Sequence, residues 1–188
     1  MATFKEKFKN FQSLAADSGI TLRQVDPERD FDDYYAIYSD HDLFRYYEGG
    51  PRPGLKPETV DVILNNQIKE FNTARIYSWT IADENDRALG RILLSNFEHN
   101  NTTANIGYFL ARNRWNQGIM TACIKSVAEF GFAYLELERI YSTVYVDNTA
   151  SWRALEKNRF AREGLMRHAF PLPGGLCDCY LYARLSTD

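Results

Sequence analysis

Arg112-Asn113-Arg114-Trp115-Asn116-Gln117-Gly118-Ile119-Met120-Thr121 decides how the rest of the chain is read. Ahead of it stands a strand-like run from Asn105 to Leu110, Asn-Ile-Gly-Tyr-Phe-Leu. Behind it, Ile119, Cys123, Val127, Phe130 and Tyr134 recur at helical spacing and make one apolar helix face. A strand that turns through a short glycine-containing loop straight into a helix aims several backbone N–H groups, and the positive end of the helix dipole, at one point. That point suits a phosphate or pyrophosphate. Gly118 lets the backbone approach the anion with no Cβ in the way. A single glycine at such a turn also describes an ordinary connecting loop. The rest of the chain has to decide between the two.

With 188 residues and 45% hydrophobic content, the chain has material for one substantial core, and a single domain is expected. The formal net charge of −3 gives no reason to expect a nucleic-acid or membrane surface. No run approaches transmembrane length, and the first residues lack the charged, apolar and small-residue layout of a signal peptide, so a cytoplasmic protein is expected. The three cysteines do not read as a disulfide framework. Cys177 and Cys179 are two apart on a predicted strand, which puts their Cα atoms about 6.5–7 Å apart, at or beyond the usual disulfide limit. A zinc site would need further ligands at matching spacing, and none is present, so no metal is expected.

Along the chain, Phe4, Phe8, Phe11 and Leu14 share a helical stripe within residues 1–18, which predicts a helix laid on the domain or on a partner subunit. Thr21 to Val25 reads as a first strand, Phe31, Tyr34, Tyr35 and Tyr38 as a helix face, and His41 to Tyr47 as a short second helix. Residues 49–54, Gly-Gly-Pro-Arg-Pro-Gly, have loop chemistry. A helix is predicted from Pro57 to Phe71, with Val60, Leu64, Ile68 and Phe71 on one face. Tyr77, Trp79 and Ile81 alternate as a strand, residues 83–86 turn, and Leu89 to Phe97 returns, with Gly90 marking a bulge or a close backbone approach. After the central loop and helix, Arg139 to Val146 is β-branched and aromatic. Strand, helix, strand in that order imply a parallel pair with a right-handed crossover. Asn148 reads as the N-cap of another helix, ending near Asn158, a residue that tolerates the left-handed conformation. Strands from Phe160 to Phe170 and from Cys177 to Leu185, turned by Pro171 to Gly175, close the chain. The layout is α/β or α+β: one mixed sheet with helices on both faces.

Three pieces stand in register: Asn105-Ile-Gly-Tyr followed by Trp115-Asn-Gln-Gly-Ile-Met, then Val146-Asp-Asn-Thr-Ala-Ser151, then Asn158-Arg-Phe160. Together they resemble the GNAT superfamily of acetyl-CoA-dependent N-acetyltransferases, and within it the RimJ/RimL-type ribosomal-protein branch. The similarity runs from about Thr21 to Arg184 and includes Asp42-Leu-Phe-Arg-Tyr-Tyr and Gly175-Leu-Cys-Asp178. It implies a GNAT domain over residues 21–188, mostly antiparallel with one splayed parallel strand pair, behind an N-terminal helical extension of residues 1–20.

The resemblance also implies acetyl-CoA as cosubstrate. The family's pyrophosphate loop falls on Asn116, Gln117, Gly118, Ile119, Met120 and Thr121. Trp115 stands where a basic or amide residue is expected, and Met120 where a small one is. The latter substitution matters little, since backbone N–H groups make the phosphate contacts. Transfer in the family is direct, the amine attacking the thioester. A backbone N–H near Phe109, Leu110 and Ala111, where the parallel strands splay, is implied for the oxygen of the tetrahedral intermediate. The tyrosine that many members use to protonate the departing thiolate is replaced by Leu155, and the branch's serine alternative falls on Ser151. Ser151 also reads as the end of the first turn begun by Asn148, which itself can both cap the helix and hold the pantetheine arm. The branch's glutamate before Ile-Gly-Tyr is here Asn105, which can orient a water or the substrate but take no proton; Glu98 and His99 are the nearest ionisable residues in sequence. Asp178 matches a family position on the last strand, and His41 and His168 have no supporting constellation.

The implied acceptor is a protein N-terminal α-amine. A small amine such as a polyamine is the second reading, for which Asp30, Asp32, Asp33, Asp40 and Asp42 offer negative charge near the early helices. A non-catalytic acyl-CoA-binding module is the third, kept open by Leu155 and Asn105. No membrane or nucleic-acid partner is expected. Dimerisation is one role for the N-terminal helix, and covering a strand edge is another.

Overall fold

A computed structural model describes residues 3–17, 19–46, 55–172 and 174–188; the loop predicted at residues 49–54 lies outside them. The strands β1 (Leu14–Ala16) and β2 (Ile20–Arg23) are followed by helices α1 (Phe31–Tyr38) and α2 (Pro57–Asn72). A meander comes next, of β3 (Tyr77–Ala82), β4 (Ala88–Glu98) and β5 (Thr103–Leu110). Then α3 (Ile119–Ala133) leads to β6 (Arg139–Tyr145), and α4 (Thr149–Lys157) to the hairpin of β7 (Ala161–Leu172) and β8 (Gly175–Leu185). Among the described residues the strands form one sheet in the order β1-β2-β3-β4-β5-β6-β8-β7, antiparallel except for β5 and β6. The mixed, mostly antiparallel α/β domain predicted from the sequence is the one observed.

Alternation along the strands assigns the two faces. Tyr77, Trp79 and Ile81 of β3, Ile92 and Leu94 of β4, and Ile106 and Leu110 of β5 enter a cluster with Cys123, Ile124 and Val127 of α3 and Leu155 of α4. On the opposite face, Tyr34 and Tyr38 of α1, Val60 and Leu64 of α2, and Phe109 of β5 form a second cluster. There the Tyr34 hydroxyl lies 3.1 Å from Thr80 Oγ1 and donates to the Gly90 carbonyl at 3.1 Å.

The parallel ladder is short. It pairs Thr103 with Arg139, Ala104 with Ile140 and Asn105 with Tyr141, and stops. Beyond that point β5 runs on beside β4 as far as the Gly90–Leu110 pair, while β6 runs on beside β8 as far as Tyr145–Cys179. The two parallel strands therefore splay past Asn105. Gly90 meets both of its expectations. A Cβ there would collide with the Phe109 carbonyl and lie 2.9 Å from Leu110 Cα, and the β3–β4 register shifts beside it, between Ile81 and Ala82.

Three local expectations are corrected. The helix expected within residues 1–18 is not formed by the described residues 3–17: Phe4–Phe8 is a 3₁₀ turn, and Leu14–Ala16 pairs with β2. The cause lies in β3, whose side chains occupy the backbone of Gln12. Tyr77 accepts the Gln12 N–H at 2.7 Å, and the Trp79 indole donates to the Gln12 carbonyl at 2.8 Å, so neither group can join a helix. The aromatic stripe still packs on the core: Phe8 is buried, and the half-buried Phe4 and Phe11 lie against Phe97 and Phe71 at ring separations of 4.9 and 5.2 Å. The short helix expected at His41–Tyr47 is a 3₁₀ turn over Leu43–Tyr46, with Tyr47 outside the described residues. Finally, Asn158 caps α4 with φ −100°, and the left-handed residue is Arg159, at φ +63°. The Asn158 amide is spent elsewhere, donating to the Ala154 carbonyl at 2.9 Å and the Thr121 carbonyl at 3.0 Å. That fastens α4 to the first turn of α3.

Candidate active site

The loop before α3 turns on two left-handed residues, Asn116 at φ +59° and Gly118 at φ +78°. Gly118 is the N-cap, and among the described residues no side chain caps the helix. The first intrahelical bond is from the Ala122 N–H to the Gly118 carbonyl, 3.1 Å, so the N–H groups of Ile119, Met120 and Thr121 carry no helical partner. Beyond the glycine's own chain neighbours and the adjoining helix backbone, no described atom lies within 4 Å of where a Gly118 Cβ would stand. Open space, free donors and the positive helix end together suit a phosphate group. The remaining side chains serve the loop. Gln117 donates to the Asn113 carbonyl at 3.1 Å, Ile119 is buried, and Met120 rests on the core.

Trp115, left without a role by the sequence, has one here: its indole N–H donates to the Leu110 carbonyl at 2.6 Å and pins the loop to the end of β5. Arg112 adds ion pairs to Asp40 (3.3 Å) and Asp42 (2.7 Å), and Arg114 one to Asp83 (3.1 Å).

At the splay the backbone sorts the expected donors. The Ala111 N–H is consumed by the Leu89 carbonyl at 2.7 Å. Alternation from that bond directs the Phe109 backbone to β4 as well, and turns the Leu110 and Tyr108 N–H groups toward the gap. Of the predicted stretch Phe109 to Ala111, Ala111 is thus excluded as an N–H donor, and Leu110 is the member facing the opening. Asn105 sits in the last rung of the parallel ladder, its amide donating to the Tyr141 carbonyl at 3.3 Å. Glu98 pairs with Thr103 at the other end of that ladder, with an exposed side chain 4.0 Å from His99 Nε2. It is not brought to the splay. Its charge does reach Tyr141, whose phenol is raised above its ordinary value by burial and then by Glu98.

Asn148 caps α4 as expected, accepting the Ser151 N–H at 3.3 Å. The Ser151 hydroxyl lies 2.9 Å from that of Tyr108, a contact the sequence reading missed. The available signal was alternation, since Ile106 and Leu110 face the α3–α4 cluster and Tyr108 lies between them with a phenol to satisfy. Leu155 is fully buried and lines no opening. Asp178 accepts the His168 N–H at 2.8 Å inside the β7–β8 hairpin. The acidic stretch is largely neutralised from within. Arg23 holds Asp30 at 2.8 Å, Arg87 holds Asp33, and Arg112 holds Asp40 and Asp42. Among the described residues there is no cluster of His, Cys, Asp and Glu that could hold a metal, and no helix long and apolar enough to cross a membrane.

Residues 20–161 match the family model described as "Acetyltransferase (GNAT) domain". The chain is 28% identical to the Uncharacterized N-acetyltransferase p20 of Bacillus licheniformis over 169 residues, covering 90% of this chain and 94% of that protein. It is 32% identical over 100 residues to the Ribosomal-protein-serine acetyltransferase of Escherichia coli (strain K12), covering 53% of this chain and 56% of the relative. Among solved structures, RimL, a ribosomal L7/L12 alpha-N-protein acetyltransferase in complex with coenzyme A, superposes with a TM-score of 0.85 at 21% identity, covering 94% of this chain and all of that one.

Proposed function

The chain belongs to the GNAT acetyltransferase domain family, and from that membership we propose that it transfers acetyl from acetyl-CoA to the N-terminal α-amine of a protein. The observation that carries acyl-CoA use is the uncapped N-terminus of α3, with left-handed Gly118, opening beside the splay of β5 and β6. In this reading the N–H groups of residues 118–121 hold the pyrophosphate, Asn116 and Gln117 shape the loop, and Asn148 orients the pantetheine arm. The Leu110 N–H receives the developing oxyanion, and Ser151 donates to the departing sulfur. Asn105 orients the amine or a water at the top of the ladder. Glu98 is the ionisable candidate for taking up its proton, reached through water. The acetyltransferase domain spans residues 21–188, with residues 1–20 as its extension.

The protein acceptor is favoured by the relative named a ribosomal-protein-serine acetyltransferase. A polycation loses its support because Asp30, Asp33, Asp40 and Asp42 are already tied to arginines.

The test is CoA-thiol release from acetyl-CoA with short peptides beginning in Ser, Ala or Met, alongside spermidine, free amino acids and an aminoglycoside, with intact mass locating the acetyl group. Release with one peptide class is expected. Release only with small amines hands the function to a small-molecule acceptor. Silence throughout, with acetyl-CoA still bound in calorimetry, reassigns the chain as an acyl-CoA-binding module.

A further inference from the structure

We propose that Tyr108 is the positioning residue of the site: its phenol donates to Ser151 Oγ and so leaves the serine's own hydrogen free for the departing sulfur. The inference rests on the acetyl-transfer reading above.

The geometry is specific. Tyr108 stands on β5 between Ile106 and Leu110, both packed into the apolar cluster under α3 and α4. A phenol on that face needs a partner. Its oxygen lies 2.9 Å from Ser151 Oγ and 3.4 Å from the Ser151 carbonyl; the carbonyl can only accept and competes for the phenol's one hydrogen, but at a length too great for a strong O–H···O bond. The serine is held from its other side as well, its N–H bound to Asn148 Oδ1 at 3.3 Å. Two hydroxyls that share one hydrogen bond can arrange it in two ways. Were Ser151 the donor, its hydrogen would be spent on the phenol and nothing would be left for a leaving group. With Tyr108 as donor, the serine oxygen is satisfied and its O–H is free to turn outward.

The second arrangement is favoured on two counts. A phenol is more acidic than an aliphatic alcohol and is the stronger donor of the pair. Burial also holds the Tyr108 phenol well above its ordinary value, overcoming the opposing effect of the Ser151 hydrogen bond, so it stays protonated and able to donate. The same shift makes Tyr108 a poor proton source, so its role is orientation. The balance needs no proton from it. As the C–N bond forms and the C–S bond breaks, the electron pair goes to sulfur; the proton lost by the amine passes through water to the Glu98 candidate base, and the thiolate takes an equivalent proton from solvent. Ser151 only bridges the moment of charge separation with a hydrogen bond.

The test compares wild type, Tyr108→Phe, Ser151→Ala and the double variant, with acetyl-CoA as donor and a short peptide with N-terminal serine as acceptor. Tyr108→Phe is expected to lower kcat about tenfold, equivalent to about 1.4 kcal/mol and the worth of one hydrogen bond. The KM for acetyl-CoA stays unchanged, and the double variant is no slower than Ser151→Ala alone, because both substitutions remove the same donation. An unchanged kcat in Tyr108→Phe, or losses that simply multiply in the double variant, overturns the positioning role and leaves acetyl transfer standing. If Tyr108→Phe does not fold, 3-fluorotyrosine at position 108 replaces it. A stronger donor raises kcat if Tyr108 orients Ser151, and an unchanged kcat overturns the role. A wild type silent with this peptide and with every other acceptor tried removes the acetyl-transfer reading, and this inference with it.

Discussion

At the scale of single residues, the site depends on backbone conformations that side chains rarely tolerate. Gly118 has φ +78° with open space around it, so a substitution there is resisted by its own backbone and not by a neighbour. Gly118→Ala is expected to cost about 1–2 kcal/mol in stability, the ordinary penalty for a left-handed residue with a Cβ. Gly118→Asp adds a carboxylate beside the proposed pyrophosphate position, so its affinity for CoA should fall well below that of Gly118→Ala. Calorimetric titration of both variants, beside their urea midpoints, separates strain from charge; equal CoA affinities would remove the anion from this loop. Asn148 and Ser151 were legible as residues because helix capping is a local pattern spanning a single turn. Tyr108 and Trp115 were not. Each makes its decisive bond across the fold or back along the chain, Tyr108 to a serine 43 positions away and Trp115 to the carbonyl five positions before it.

At the scale of elements, the strands from Tyr77 onward were legible because they alternate, and α2 and α3 because their apolar residues recur at helical spacing. The N-terminal stripe recurs at the same spacing and still forms no helix. Tertiary partners on β3 take the Gln12 backbone, and no local propensity reveals that. The end of the parallel ladder was implied only loosely, near residues 109–111. The structure ends it at Asn105, four residues earlier than the start of that stretch, while β6 keeps β8 along its other edge from Arg139 to Tyr145. Gly90 is the element-scale counterpart of Gly118, since there the obstacle is a neighbour. Gly90→Ala drives a methyl into the Phe109 carbonyl and toward Leu110 Cα, so β4 and β5 must part where Leu110 faces the splay. A loss of about 1–3 kcal/mol is expected, the usual cost of overpacking, read as a lower denaturant midpoint. Turnover should fall along with it, because Leu110 is displaced. A variant of native stability and activity would show that the approach of these strands is looser than the structure has it.

At the scale of the whole molecule, the early acidic residues change meaning between sequence and structure. As a list they suggest a negative field around an acceptor. In three dimensions they are struts, with Arg23, Arg87 and Arg112 joining α1 and its flanks to β2, the β3–β4 turn and the loop before α3. Asp33 is the strut whose titration is readable. Burial pushes its carboxyl upward, but the Arg87 guanidinium and the Ala88 N–H at 2.9 Å outweigh that and hold it below the ordinary carboxylate value. A carboxyl depressed in the folded state stabilises the protein fully at pH values above its unfolded pKa, about 3.9 for aspartate, and loses that contribution as pH falls through the folded value. Arg87 is exposed, so solvent and salt screen its side of the pair and the effect is modest. The stability difference between wild type and Asp33→Asn should be largest near neutral pH, shrink below about pH 4 as Asp33 takes its proton, and shrink also with added salt. Thermal melts of both proteins at pH 7 and pH 3, at low and high ionic strength, measure this directly. A difference that stays constant from pH 7 to pH 3 would assign the contribution of Asp33 to its hydrogen bond with Ala88 and its packing, leaving charge no part in joining α1 to the sheet.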